Sequence, residues 1–237
     1  AGIAGFSEHN HYPDVISTFY ALASLKHLDM IQVYLENRKQ FMRKDAILKF
    51  LKLVNGKKRF RHCLNDNCKE HKSHSSFKLM FYGLHIYDLL GIDPRTRGKE
   101  FIDNLKKTKR HDRMDVVFQL LCVHYLQLRT SIEEDTLVYF YKFQTPDGGF
   151  NLEGKDHPTL EDTFWTAYMF EVYKWMLPYK VGPIYTYLSK SVNNFDFSII
   201  LNAPERAIEP SQSLALICIV FPTLITNIEN VLFSKLS

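Results

Sequence analysis

The chain has 237 residues, 14% of them aromatic and only 10 Gly and 9 Pro, a composition that supplies a large core and excludes a disordered chain. Its net charge of +4 does not provide a dedicated nucleic-acid surface, although residues 99–113 carry a local basic excess. The longest apolar run, Leu214 to Phe221, stops at Pro222 and is too short to span a membrane.

In chain order, residues 12–27 are predicted to form a first helix. Residues 29–54 are amphipathic, with Met30, Ile31, Val33 and Tyr34 and then Ala46, Ile47, Phe50, Leu51 and Leu53. They read as two helices broken near 39–44 and closed by Asn55-Gly56. Residues 57–75 have no apolar period and form a loop insertion. Phe77 to Leu90 is helical and closes at Gly91, and Asp93-Pro94 starts a turn. A short polar helix over 99–107 precedes an apolar one over 114–128. Ser131 and Glu134 have the spacing of a capping box, so another helix begins there. The helix after Pro158 is predicted to run over 160–176, with Pro178 and Gly182-Pro183 breaking the chain before a helix over 184–190. A loop or short strand-like segment over 193–204 and helices over 211–221 and 224–236 complete the chain. Of the four cysteines, Cys122 and Cys218 lie in apolar helical stretches, which fits a reducing compartment, the cytoplasm, better than a disulfide framework. Ala1 lies inside a repeat-like turn, so a processed or truncated product is expected, and the opening residues do not have the pattern of a signal peptide.

Gln144-Thr-Pro-Asp-Gly-Gly-Phe150 is a compact turn signal, followed after a polar loop by Pro158-Thr-Leu-Glu-Asp-Thr-Phe-Trp-Thr-Ala167. The same unit opens the chain. Gly5-Phe6 leads through a polar loop to Pro13-Asp14-Val15-Ile16-Ser17-Thr18-Phe19-Tyr20. Aligning Pro13 with Pro158 brings Thr18-Phe19 onto Thr163-Phe164, an offset of 158 − 13 = 145 residues. That offset accommodates three periods of about 48, and such repetition marks stacked helical arrays.

These motifs resemble the repeat of protein prenyltransferase β subunits and of squalene and terpene cyclases. Residues 3–29 and 143–173 carry the likeness; elsewhere only helical spacing does. The resemblance implies an all-α chain folded as a single α/α toroid over 1–237, complete or partial, with the 57–75 insertion. Its inner helices would border a central cavity. It further implies a protein that handles an isoprenoid or a prenylated peptide, transferring a prenyl group from a prenyl diphosphate if catalytic, beside an α-subunit-like partner.

In that family an Asp and a Cys two residues apart, with a His from the next repeat, hold zinc. Asp14 falls on the Asp position, but Ile16, and Glu161 in the other strong repeat, occupy the Cys position. Read locally, Asp14 is a helix N-cap or a first-turn acid facing the helix dipole. Class II terpene cyclases in the same superfamily protonate an alkene with the middle acid of an Asp-rich motif. Thr159-Leu-Glu-Asp-Thr163 is similar to it in position, with Glu161 at the proton donor and Asp162 beside it; locally, the two are first-turn acids. His11 in the opening loop is the nearest basic equivalent of the family's diphosphate residues, and Tyr20, Trp165 and Tyr168 are among the aromatics suited either to an isoprenoid or to a packed core.

The densest group of metal-binding residue types is His62-Cys63-Leu-Asn-Asp-Asn-Cys68-Lys-Glu-His71-Lys-Ser-His74. Cys63, Cys68, His71 and His74 offer two thiols and two imidazoles, enough for tetrahedral zinc. A structural zinc clip, a solvated loop and a catalytic zinc all fit that composition. Three readings therefore stand: a zinc-dependent prenyltransferase-like enzyme, a non-catalytic toroid scaffold for protein or lipid, and a cyclase-like acid catalyst.

Overall fold

α-Helix dominates the computed structural model, which describes residues 13–27, 30–36, 44–56, 60–65, 67–68, 76–128, 134–154, 157–173 and 181–193. The helices are α1 (Val15–His27), α2 (Ile31–Glu36), α3 (Lys44–Val54), α4 (Ser76–Leu89), α5 (Gly98–Lys107), α6 (Arg113–Tyr125), α7 (Glu134–Tyr141), α8 (Leu160–Val172) and α9 (Val181–Asn193). A 3₁₀ turn over Pro94–Arg97 precedes α5. The described residues contain no strand, only isolated bridges. None of their helices is long and apolar enough to cross a membrane. The chain forms two compact units, Ala1–Thr130 and Ser131–Ser237. The expected helices over 211–221 and 224–236, the cap at Ser131 and the opening loop with His11 lie outside the described residues.

In the first unit α4 packs against both α1 and α6. Ten of its fourteen residues are buried, because apolar side chains surround it rather than forming one stripe. By contrast α3 buries only Ile47, Phe50, Leu51 and Val54, the spacing of a one-sided helix. Helix α4 ends at Gly91, whose φ of 68° suits a residue without a Cβ. Helix α6 begins with a reciprocal cap: Asp112 accepts from the Asp115 N–H at 2.8 Å and Asp115 accepts from the His111 N–H at 2.7 Å.

Where α1, α4 and α6 meet, the rings of Phe19, Tyr20, Phe81, Tyr82, Phe118 and Tyr125 form one aromatic cluster. Phe19 and Tyr82 are 4.7 Å apart between centroids, Phe81 and Tyr125 5.6 Å, and Phe81 and Phe118 5.8 Å. The His85 imidazole lies within it, 5.1 Å from Phe19 and 5.2 Å from Tyr125. Burial pulls its pKa down to about 3, and Lys26 adds to that effect.

In the second unit α8 and α9 pack together. Gly182-Pro183 does not break the chain before Ile184 but lies in the first turn of α9. A first-turn nitrogen has no intrahelical acceptor, so the missing proline N–H costs nothing there. The turn at Gly148-Gly149 fits against this end of α9. Gly148 has φ of 94° and faces the Pro183 carbonyl, while a Cβ on Gly149 would lie 2.7 Å from Pro158 and 2.8 Å from Tyr187.

Local geometry repeats at the offset of 145. Asp14 caps α1 by accepting the Ser17 N–H at 2.7 Å, and Thr159 caps α8 by accepting the Asp162 N–H at 3.0 Å. Four residues beyond each cap, Thr18 and Thr163 donate their hydroxyls to the cap carbonyls, at 2.6 and 2.8 Å.

Candidate metal centre

The site is assembled by a reversal of the chain after α3. Asn55 and Phe60 form an antiparallel bridge, the Arg61 N–H donates to the Val54 carbonyl at 2.9 Å, and the Arg61 guanidinium donates to the Leu53 carbonyl at 3.1 Å. These bonds satisfy carbonyls left open at the end of α3. Phe60, 1% exposed, then enters the core. Its ring stacks on Phe101 and covers Gly83 of α4, where a Cβ would lie 2.6 Å from the ring. Gly83→Ala is therefore expected to displace Phe60 and cost about 1–3 kcal/mol by overpacking. A urea titration with an unchanged midpoint would show that the ring is not seated there.

Once Phe60 is anchored, the next residues pair with the start of α1. The Val15 N–H donates to the His62 carbonyl at 2.9 Å, and Asp14 and Cys63 form an antiparallel bridge. This pairing brings His62, Cys63 and Cys68 together, with one potential ligand atom of each lying within 4.8 Å of the others. All three are buried, and Cys63 and Cys68 are thiols rather than a disulfide. The Cys68 sulfur is 3.7 Å from His62 Nδ1, while His62 Nε2 faces Asp14 Oδ1 at 3.4 Å.

Electrostatics favour a cation here. Burial pushes the Cys63 thiol up to about 11, and the neighbouring Cys68 and Asp14 add to that rise. Burial would lower the His62 pKa, but hydrogen bonding and charge from Asp14, with a contribution from Cys68, carry it above its ordinary value. Without metal the Cys63 thiol is thus held neutral; a divalent ion would displace its proton and stabilise the thiolate. The spacing fits too. Tetrahedral bonds of zinc length put an imidazole nitrogen and a sulfur about 3.6 Å apart and two sulfurs about 3.8 Å apart. The donor set is therefore one that can hold a metal ion.

Of the four expected metal ligands, Cys63 and Cys68 meet at this site, whereas His71 and His74 lie outside the described residues. His62 joins them, a residue not among the four expected ligands; its adjacency to Cys63 was the available signal. Asp14 is both the cap of α1 and the neighbour of His62. Cys122 is buried elsewhere against the Phe77 carbonyl, and its thiol pKa is raised by burial.

The Gly-Gly-Phe turn organises a separate set of residues. Glu161 is partly buried in the first turn of α8, whereas Asp162 is 3% exposed. The Asp162 carboxylate accepts the Leu152 N–H at 3.0 Å, and the Thr163 hydroxyl accepts the Phe150 N–H at 2.8 Å. These two side chains thus hold the loop against α8. Burial raises the Asp162 pKa, Glu153 and Glu161 add to the rise, and the Leu152 and Thr159 bonds oppose it. A raised carboxyl pKa contributes stability below the unfolded value, and that contribution is lost as pH rises through the folded value. Asp162→Asn keeps an acceptor without the charge, so at neutral pH it is expected to stay within about 1 kcal/mol of the parent. Asp162→Ala removes the carboxylate that accepts the Leu152 N–H and is expected to cost about 1–3 kcal/mol. Equal urea midpoints for the two variants would refute the clamp.

Trp165 is 1% exposed beside Phe164 and Tyr168, a packed position, and Tyr168 is partly buried. Tyr20, also partly buried, brings its hydroxyl to 3.3 Å from that of Tyr82.

Comparison with protein-family models, with curated proteins and with solved structures finds no match to this chain.

Proposed function

We propose that this protein is a zinc-binding member of the prenyltransferase-β-like α/α toroids, in which the metal staples the 60–68 segment to the start of α1 and the helices form a scaffold for an isoprenoid or a prenylated peptide. The observation that carries this reading is the contact between Asp14, at the position equivalent to the family's zinc aspartate, and His62 beside Cys63 and Cys68. The thiolate missing at Ile16 is supplied by a different segment. Because His62, Cys63 and Cys68 are buried, the zinc is structural rather than catalytic in this reading.

A transferase is the competing reading, favoured by the three-ligand set among the described residues, since catalytic zinc keeps a position open. Metal analysis of the purified chain, paired with titration of a farnesyl diphosphate analogue and a prenyl-transfer assay, separates the two. Stoichiometric zinc and analogue binding without transfer support the scaffold. Transfer to a peptide thiol establishes the enzyme instead. Absence of both zinc and analogue binding overturns the proposal.

A further inference from the structure

We infer that Asp14 is a positioning residue of the metal centre: its carboxylate holds His62 through Nε2 so that Nδ1 is presented to the ion, and the same carboxylate caps α1. This rests on the zinc reading above and specifies a role in it that the resemblance does not. In the family pattern the equivalent aspartate is a ligand; here the geometry makes it a neighbour of one.

The imidazole has two faces to assign. Nδ1 lies 3.7 Å from the Cys68 sulfur, on the side of the thiols, whereas Nε2 lies 3.4 Å from Asp14 Oδ1. Asp14 is not among the donors that lie within 4.8 Å of one another, which are His62, Cys63 and Cys68. Oδ1 is further occupied by the Ser17 N–H at 2.7 Å, a bond that fixes the carboxylate on the first turn of α1. A metal-bound imidazole ordinarily donates its second N–H to a carboxylate or carbonyl, which sets the tautomer and raises ligand basicity. Asp14 meets that requirement from a helix cap, and the Val15–His62 backbone bond holds the two segments in register. The arrangement thus couples the metal centre to the start of α1.

The test is a cobalt(II) titration of the full chain followed by visible absorption, with zinc competition to rank affinities. The parent chain is expected to show thiolate-to-cobalt charge transfer and tetrahedral ligand-field bands. Asp14→Asn retains a good N-cap residue, and should give bands of the same position and intensity with affinity lowered about 10–100-fold. Shifted or weakened ligand-field bands would make Asp14 a direct ligand and overturn the proposal, as would an unchanged affinity. Loss of helical ellipticity in metal-free Asp14→Asn would assign the affinity loss to the cap alone, which also overturns it. If the parent chain shows no cobalt bands while Cys63→Ser behaves identically, the underlying zinc reading has failed, a result distinct from failure of the Asp14 assignment alone.

Discussion

On the zinc-staple proposal, a chelator is expected to lower the stability of the zinc-loaded protein by several kcal/mol, and Cys68→Ser should reproduce that loss and abolish the response to chelator. Structural zinc sites in small domains return roughly 10–16 kcal/mol of apparent binding free energy at neutral pH. Here much of the helical core is built without the ion, so only part of that range bears on folding. Domain stabilities are about 5–15 kcal/mol, however, so even a fraction is a large perturbation. The mechanism is specific. Without metal the 60–68 segment remains attached to α1 by the Val15–His62 hydrogen bond and to the core by Phe60, but its two buried thiols and imidazole lose their common partner. For a chain of this size each kcal/mol is worth about 2–4 °C in midpoint. Thermal melts of the zinc-loaded parent and Cys68→Ser, each with and without chelator, provide the measurement. A parent melt indifferent to metal removal would dismiss the staple.

The second large effect concerns acid stability. His85 is held among Phe19, Phe81 and Tyr125 with its pKa pulled down to about 3 by burial and Lys26. A base whose folded pKa is depressed contributes stability above its unfolded value near 6.5, and that contribution is lost as pH falls toward the folded value. At about 1.4 kcal/mol per pH unit, the span from 6.5 to about 3 sets an upper limit on the order of 4–5 kcal/mol. The aromatic faces around the ring would attract an imidazolium and reduce that figure. His85→Phe removes the titration while keeping a planar apolar side chain. Its stability should therefore fall less steeply than the parent's between pH 6.5 and 4, after comparison at pH 7 to subtract any packing change. Parallel curves for the two proteins would show that the imidazole does not titrate in that window. The raised pKa of Asp162 acts with the opposite sign, which is why the difference between two variants, rather than the parent's own curve, is the informative quantity.

Much of the helical organisation was legible because its signals are local. The continuous apolar character of Phe77 to Leu90, closed by Gly91, needed no knowledge of neighbours, and neither did the one-sided spacing of 44–54. The likeness between Pro13-Asp14 and Pro158-Thr159 appeared in the letters and reappears as two caps with the same threonine hydroxyl bond. Pro183 shows the limit of local rules. Read by itself it is a helix breaker, yet in the first turn of α9 its missing N–H matters little, and the same turn presents the carbonyl that leaves no room beside Gly148.

The sequence by itself determined which residues can bind metal and which stretches are helical: the density of Cys and His near 62–74 and the periodicity of the apolar positions are properties of neighbouring letters. Only the tertiary structure decided that His62 belongs with Cys63 and Cys68, and that Asp14 stands behind it. Residues 14 and 62 are 62 − 14 = 48 positions apart, about one period of the repeat, but Arg61-His62-Cys63 does not repeat the letters of Pro13-Asp14-Val15, so no motif relates them. A single antiparallel bridge between Asp14 and Cys63, held in register by a backbone hydrogen bond and by the burial of Phe60 over Gly83, brings them together. Side-chain identity limits what a site can do, but backbone pairing between distant segments determines which side chains meet, because burying a polar cluster is tolerated only where each member finds its partner.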